Sequence, residues 1–511
     1  MSGARTAVVV GSGPNGLAGA ITLARAGLDV TVLEGADSVG GGMRSAPLTF
    51  PGFTHDVCSA AHPLAMASPF MRSIDWARHG VEFLQPGLPF GQPLDGGRAA
   101  LAHRSVEETA DGLGPDGAVY RRLLTPLVRD ALPLADAMLG SGFRPPVPHL
   151  AAIARFGARS VLPTALLART FRGDLAPALL AGAAAHSTLP LTALPTTPTG
   201  LLLVLLAHAV GWPVVRGGTQ QMADALVAEL TALGGRLHTG SWVRSAADLP
   251  SADIVLLDVS PRALLSIYGE ALAPRYARAV ERFRYGPGVC KVDFALSGPV
   301  PWTAPGLARA GTVHVGGTWQ DIAESERQPT RGRHAERPYV LAVQPGVVDP
   351  TRAPAGRATL WTYCHVPNGS TVDMGDRITA QVERFAPGFA ATVLDRTVCT
   401  AAAEEAHDPN WVGGDISTGA MTVRQTLARP AARWDLYRVP LAGRAGAAAA
   451  SAGTWLCSSA TPPGPGVHGM SGHVAAVRAL AAAGVPTPTG AARAGPEPAQ
   501  RTEPGGRRCH G

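Results

Sequence analysis

Four apolar residues in a row, Ala7-Val8-Val9-Val10, followed at once by Gly11, give the first strong signal in the hydrophobic pattern. A short uninterrupted run of this kind predicts a strand buried on both faces, as in a parallel sheet. A helical period follows the glycine turn, Gly27 stops it, and Asp29-Val30-Thr31-Val32-Leu33 predicts a second strand that ends at Glu34. Residues 50–63 read as a short strand entering a loop. From 72 to 200 the pattern turns helical, with periods over 106–112, 118–139, 150–171 and 177–185, and an almost uncharged helix over 200–210. A strand-turn-helix resumes at Gly211, with its helix over 220–233, and strands are expected at 241–243 and 252–258. Beyond these come a helix over 271–283, an alternating strand over 285–296, strand candidates at 311–315, 339–344 and 358–365, and a helix over 378–385. The charged stretch 325–338 is expected to be an exposed loop. The last ordered part is a strand from 454, a Pro/Gly turn and a helix of small residues; after 484 no apolar period remains, which predicts a disordered tail.

This order gives an α/β fold: a Rossmann-like domain discontinuous in sequence (1–71, 211–265 and 446–484) with an inserted α+β substrate domain. The insertions are 72–210, mainly helical, and 266–445, with strands; 485–511 is the tail.

Composition narrows the class. A chain of 511 residues with 46% hydrophobic and 16% charged residues has ample core for two domains. The formal charge of +6 forms no Lys/Arg block, so nucleic acid is not an expected partner. The six cysteines, Cys58, Cys290, Cys364, Cys399, Cys457 and Cys509, are far apart, which argues against a disulfide framework and a redox dithiol; a reducing cytoplasm fits. Arg5 and the apolar run after it imitate a secretory signal, but the glycines explain the stretch better. The densest apolar run, 201–210, is about half of what a membrane span needs. Among 44 Lys plus Arg, Lys291 is the single lysine, and a lysine that survives such a bias is a candidate for a role arginine cannot fill.

The chemistry begins at Gly11, Gly13 and Gly16. Strand, G-x-G-x-x-G, helix, stop, strand and acid in this order make a dinucleotide site. The glycines give a tight turn, close approach to a pyrophosphate and close helix packing. Pro14 and Asn15 open a helix whose N-terminus attracts phosphate, and Glu34 accepts from ribose hydroxyls.

Past Glu34, the sequence Gly35-Ala-Asp-Ser-Val-Gly40-Gly41-Gly42-Met43-Arg44-Ser45 resembles the flavin-binding motif of the amine oxidase and phytoene desaturase superfamily of FAD enzymes. Members carry arginine directly after the glycine pair, where this chain has Gly42; Arg44 stands in its place. The turn 464–472 before the last helix is a second match. The nearest subgroup is the phytoene-desaturase-like oxidoreductases, which take in the pyridine nucleotide-disulfide oxidoreductase domain-containing proteins. The missing dithiol does not support the disulfide chemistry in that name. The resemblance implies FAD as cofactor, held by the glycine turn and by Gly35, Gly41, Gly42, Met43 and Arg44. It places the adenine contact at Val243, and free N–H groups at Gly466, Val467 and His468 toward the flavin pyrimidine. It brings 50–63 to the ring, which makes His62, with His55, Asp56 and Ser59, a neighbour of the reaction site, and it sets Lys291 beside the flavin. Lys291 paired to a surface acid is the competing reading. No metal site is expected.

The activity implied is hydride removal from an apolar small molecule, of desaturase or dehydrogenase type, with oxygen or a quinone as acceptor. Alternatives are a flavin amine oxidase, against which the scarcity of aromatics speaks, and an FAD-binding partner protein with little turnover. His186 reads as a core histidine in the wall of an apolar cavity. The turn-rich stretch Asp408–Asp415 reads as substrate-domain loop. Residues 138–172 hold no acid but several arginines, and Arg155 and Arg159 share a helix face. That face is either solvated or in peripheral contact with a membrane surface. Oligomeric state is not legible.

Overall fold

In a computed structural model that describes residues 5–140, 149–442 and 450–487, the opening run is β1 (Thr6–Val10), buried from Ala7 onward. Gly13 turns the chain into α1 (Pro14–Arg25), with proline in the first turn where its missing N–H costs nothing. β2 (Asp29–Leu33) returns parallel to β1, Val10 opposite Leu33. Further on come β3 (Leu88–Leu94), β4 (Arg98–Ala102), α2 (Leu175–Ala185), α3 (Thr196–Ala209), α4 (Gln220–Ala232), β5 (Arg236–His238) and β6 (Ala252–Leu257). β7 (Gly288–Leu296), β8 (Ala310–Val315), β9 (Val340–Val343), β10 (Ala358–Val366) and β11 (Val393–Cys399) follow, then β12 (Arg438–Val439), β13 (Ala450–Leu456) and α5 (Met470–Ala482).

Two sheets result. The first has the order β12-β13-β6-β1-β2-β5, parallel except at β12. A Cβ on Gly472 of α5 would stand 1.7 Å from the Asn15 carbonyl oxygen, so α5 and α1 pack backbone to backbone. That contact brings the last turn of the described chain beside the first. The second sheet has the order β11-β7-β10-β9-β8-β3-β4. One of its faces is a dry core: Cys290, Val292, Phe294, Val313, Val340, Ala342, Leu360 and Cys364 pack on Ile378, Val382 and Phe389. The opposite face is mixed. Register places Phe90, Thr312, Val343, Trp361 and Asp293 in one row across five strands. His314, Leu341, Tyr363, Lys291 and Cys399 form the next row.

Four local expectations change. The region read as mainly helical contains β3 and β4, both in the second sheet. Pro89, Gly91 and Pro93 hid β3, since proline and glycine normally argue against an inner strand. Residues 241–243 are not a strand: the chain turns at Gly240 (φ +63°) after the short edge strand β5, and Ser241 donates its N–H to the Glu34 carbonyl. The stretch 325–338 is not wholly exposed, because Ser325 and Glu326 are buried and the Glu326 carboxylate bonds His365 at 2.6 Å. β11 had no forecast; it is a half-buried edge with weak alternation. The expected tail, from 488 on, lies outside the described residues, as does Cys509.

Candidate active site

The C-terminal ends of β1, β2, β6 and β13 open onto one cavity of about 630 Å³, which also reaches the mixed face of the second sheet. Its lining includes Gly11, Gly13, Pro14, Asn15, Glu34, Gly35, Gly41, Gly42, Arg44, His62, Val243, Gly466, Val467 and His468. Both ends of the chain therefore meet at one site. Gly16, Met43 and Lys291 lie behind the lining.

Gly16 acts one layer back. A Cβ there would stand 2.1 Å from the Gly11 carbonyl oxygen, and its N–H donates to Asp258 at 2.7 Å. Gly41 (φ +53°) passes so close to the turn that its Cβ would sit 3.2 Å from Gly13 Cα. Glu34 is locked in place: Ser12 N–H and Oγ–H donate to one oxygen at 2.8 and 2.6 Å, and Ala36 N–H donates to the other at 2.9 Å. Trp242, 49% exposed, lies over Gly35, where a Cβ would be 2.6 Å from the indole. Arg44 is buried, its Nε donating to the Gly41 carbonyl at 2.9 Å. Met43 is fully buried in the apolar core, which corrects its expected place against the ligand.

Several polar groups at this end have no partner among the described residues. Asn15 Oδ1 is buried and unbonded. The N–H groups of Gly466 and Val467 also lack partners, whereas His468 N–H is engaged by the Gly466 carbonyl at 3.1 Å. His468 instead shapes the turn: its ring accepts from Met470 N–H at 3.0 Å and bonds the Gly464 carbonyl at 3.1 Å. Unsatisfied donors beside a glycine turn suit an anionic ligand.

Asp258 was not foreseen. It follows β6 directly, lines the cavity, and burial pushes its carboxyl up to about 7, the Asp408 and Glu34 carboxylates adding to the rise. The Asp408–Asn410 loop and Trp411 also line the cavity, so that stretch belongs to the site.

His62 is buried, and its Nε2 lies 3.0 Å from Thr219 Oγ1, which donates to the Ser59 carbonyl. The Thr219 oxygen therefore accepts from His62 Nε2–H, which leaves Nδ1 an unpaired acceptor. Burial lowers the imidazole to about 4, so it is neutral at pH 7. Lys291 is buried against Asp293, with its ammonium 5.8 Å from the ring centre of Trp361, a residue of the cavity wall. Asp293 in turn lies 3.6 Å from His55. The lysine is thus paired, as the competing reading had it, but to a buried acid and not a surface one. Burial lifts the Cys58 thiol to about 12, so no thiolate nucleophile stands in the wall. Among the described residues there is no cluster fit to hold a metal.

The far wall consists of Met138, Leu139, Pro195, Pro198, Leu202 and Leu203 from the helical region, facing Thr312, Leu341, Val343, Trp361 and Tyr363 of the sheet. Trp361 and Tyr363 meet edge to face, ring centres 5.3 Å apart. Neither ring could be placed from sequence, because their role depends on strand register.

A family model described as an NAD(P)-binding Rossmann-like domain matches residues 9–72. Along its length the chain is similar to pyridine nucleotide-disulfide oxidoreductase domain-containing protein 2 of Rattus norvegicus, 25% identical over 92% of each chain. Among solved structures, an oxidoreductase from Methanosarcina mazei superposes with a TM-score of 0.59 at 15% identity, over 93% of this chain and 99% of that one. A putrescine oxidase variant superposes with a TM-score of 0.56 at 17% identity, over 94% and 98%. The chain shares their fold. The discontinuous Rossmann-like domain with an inserted substrate domain is therefore a known architecture, and the similarity to the relative spans both.

Proposed function

We propose that the protein is an FAD-dependent oxidoreductase that removes a hydride from a largely apolar small molecule, the flavin being reoxidised by oxygen or a quinone. One observation carries the reading: a single cavity joins the opening glycine turn, Glu34 and the 464–468 turn to a mostly apolar wall. The residues present fit the cofactor. The glycine turn and the start of α1 would take the pyrophosphate, Glu34 a ribose, and Val243 the adenine side. Arg44, beside the Gly41 carbonyl, would approach the same phosphates, and the N–H groups of Gly466 and Val467, without partners among the described residues, would hold negative charge on the flavin ring. When bound, FAD supplies the hydride acceptor. The chain's own part is to bind, orient and keep water out, and His62 Nδ1 offers a place for a proton. Lys291, with Asp293, fixes the charge behind Trp361. As a catalytic residue it predicts that Lys291→Arg keeps flavin and loses turnover; unchanged turnover sinks that role.

Amine oxidation is the second reading. The Trp361–Tyr363 pair favours it, since aromatic faces attract ammonium groups, and putrescine oxidase has the same fold. Against it, the acids of the lining are Glu34, Asp258 and Asp408, which act on one another at the glycine-turn end, and the far wall has none. Anaerobic mixing separates the two: bleaching of the flavin band by polyenes supports desaturation, and bleaching by amines alone replaces it with amine oxidation.

Peripheral membrane contact rests on Leu150, Val161, Leu162 and Leu166, exposed beside the arginines of 150–168. Arg155, however, is paired with Asp130. No helix among the described residues is long and apolar enough to cross a membrane. Co-sedimentation with anionic vesicles at low salt tests the contact, and no binding removes it.

A further inference from the structure

Among the described residues two arginines, Arg352 and Arg429, are wholly buried, and they are partnered differently. Arg352 has two counter-charges: Nη1 lies 3.0 Å from Asp56 and Nε 2.9 Å from Asp349, while Nη2 donates to the Val215 carbonyl at 2.9 Å. Arg429 has no carboxylate within ion-pair reach among the described residues. Its Nη2 donates to the Thr418 carbonyl at 3.1 Å, its Nη1 meets the thioether sulfur of Met421 at 3.6 Å, and its Nε–H is buried without a partner. Asp415 acts on it through space, but the Asp415 oxygens accept from the main-chain N–H groups of Gly286, Ser417 and Gly419 at 2.7, 2.9 and 2.7 Å. Burial lowers the guanidinium only to about 10, so it is charged at pH 7. A buried cation in this state is costly unless some other charge answers it. Its position says which. The guanidinium is wedged between two loops that both line the cavity. On one side Thr418, at φ +49° where β-branched residues are rare, turns its carbonyl to Nη2 and lies in the wall. On the other, a Cβ on Gly464 (φ +114°) would stand 2.8 Å from Nη1, so this glycine lets the charge reach the turn whose next residues, Pro465, Gly466 and Val467, are wall residues.

We infer that Arg429 is a fixed positive charge behind the 464–467 turn, and that it makes the site hold reduced flavin more tightly than oxidised flavin. This rests on the reading of the cavity as an FAD site. Hydride removal takes two electrons and one proton from a substrate C–H bond, and in desaturation a second proton leaves the neighbouring carbon to water or a base. The ring receives the hydride without that second proton, so it gains one negative charge. The Gly466 and Val467 N–H groups offer partial charges to it. Arg429 adds a whole one, already in place and screened by little water. Arg429 does not itself line the cavity, so it acts through the turn, as a positioning residue and not a catalytic one.

Two measurements test this. In flavin-free protein, Met421→Glu puts a carboxyl carbon where the sulfur beside Nη1 was. It should unfold at higher urea than Met421→Gln, and the gain should vanish when Arg429→Met is added; equal urea midpoints overturn the inference, because the charge would then be answered already. In FAD-loaded protein, Arg429→Met should lose at least tenfold in affinity for reduced relative to oxidised FAD. That reads as a fall of about 30 mV or more in the two-electron midpoint potential, about 30 mV for each tenfold. Where Arg429→Met does not fold, Met421→Glu against Met421→Gln takes its place, with the cation neutralised where it stands. FAD held at an unchanged potential overturns the inference and leaves the proposed function standing. A parent chain that takes up no FAD overturns both.

Discussion

At the glycine-turn end of the cavity the chain meets its ligand with main chain: Gly11, Gly13 and Gly41 clear the space, and the unbonded N–H groups of Gly466 and Val467 supply the polarity. At the sheet end the main chain is paired in strand ladders, and side chains form the wall, among them Thr312, Val343 and Trp361 from three strands and His186 from the end of α2. The first end tolerates almost no added atom. The second is lined by side chains and tolerates small changes in them. Substitutions at the two ends should therefore fail differently.

The largest effect is expected at Gly16→Ala. Its Cβ would overlap the Gly11 carbonyl at 2.1 Å, backbone against backbone, where no rotamer relieves it. Overpacking of this kind costs about 1–3 kcal/mol or more. The purified variant should hold no flavin by its absorbance, while the near-isosteric Thr312→Val holds as much as the parent chain. Equal flavin content in both variants would break the comparison.

Next is the buried pair behind the sheet wall. Lys291→Met removes the cation from Asp293, whose carboxyl is already lifted to about 6 by burial; the acid takes up a proton and stays buried without its partner, which costs about 1–3 kcal/mol in thermal or urea unfolding. Replacing both partners by apolar residues should recover most of that loss. A pH-dependent effect, spread over several units and so smaller across any one of them, belongs to Asp258, whose carboxyl lies at about 7 against an ordinary 3.8. The folded state keeps a proton that the unfolded chain releases, so this stabilisation is full below about pH 4 and is lost as the pH rises through 7. Each unit is worth about 1.4 kcal/mol at most. Asp258→Asn should flatten urea midpoints over that window relative to the parent chain; an unchanged profile counts against the assignment. The smallest effect is at Arg98→Ala, which breaks a surface pair with Asp174 and should shift stability by less than about 1 kcal/mol.

The same contrast explains what could be read in advance. Main-chain recognition needs contiguous residues in a set order, so Gly11 to Glu34 and the 464–472 turn were visible as motifs, and β1, α1 and α5 fell where the pattern put them. The substrate wall is assembled by register. Thr312, Trp361 and Asp293 become neighbours only because β8, β9, β10 and β7 pair as they do, and no local signal announces that. β3 was hidden by its own prolines. Asp258 follows an ordinary apolar strand, and its importance comes from the distant glycine turn packed against it. Met43 was misjudged because a motif position says nothing of which way its side chain turns, and the core took it. His186 reads as a core histidine, and its place in the cavity wall beside His314 comes from packing between segments remote in sequence.

The central claim is that the two ends of the chain close one flavin site, whereas the opening motif alone would equally suit a nicotinamide dinucleotide. Calorimetric titration of the flavin-stripped protein with FAD, and separately with NAD, tests this most directly. The account predicts one FAD per chain and no heat from NAD, with FAD binding weakened at least tenfold in Gly466→Ala, whose Cβ would stand 2.6 Å from Leu64 Cδ1 at φ +128°. Binding of NAD without FAD, or FAD binding indifferent to Gly466, would contradict it.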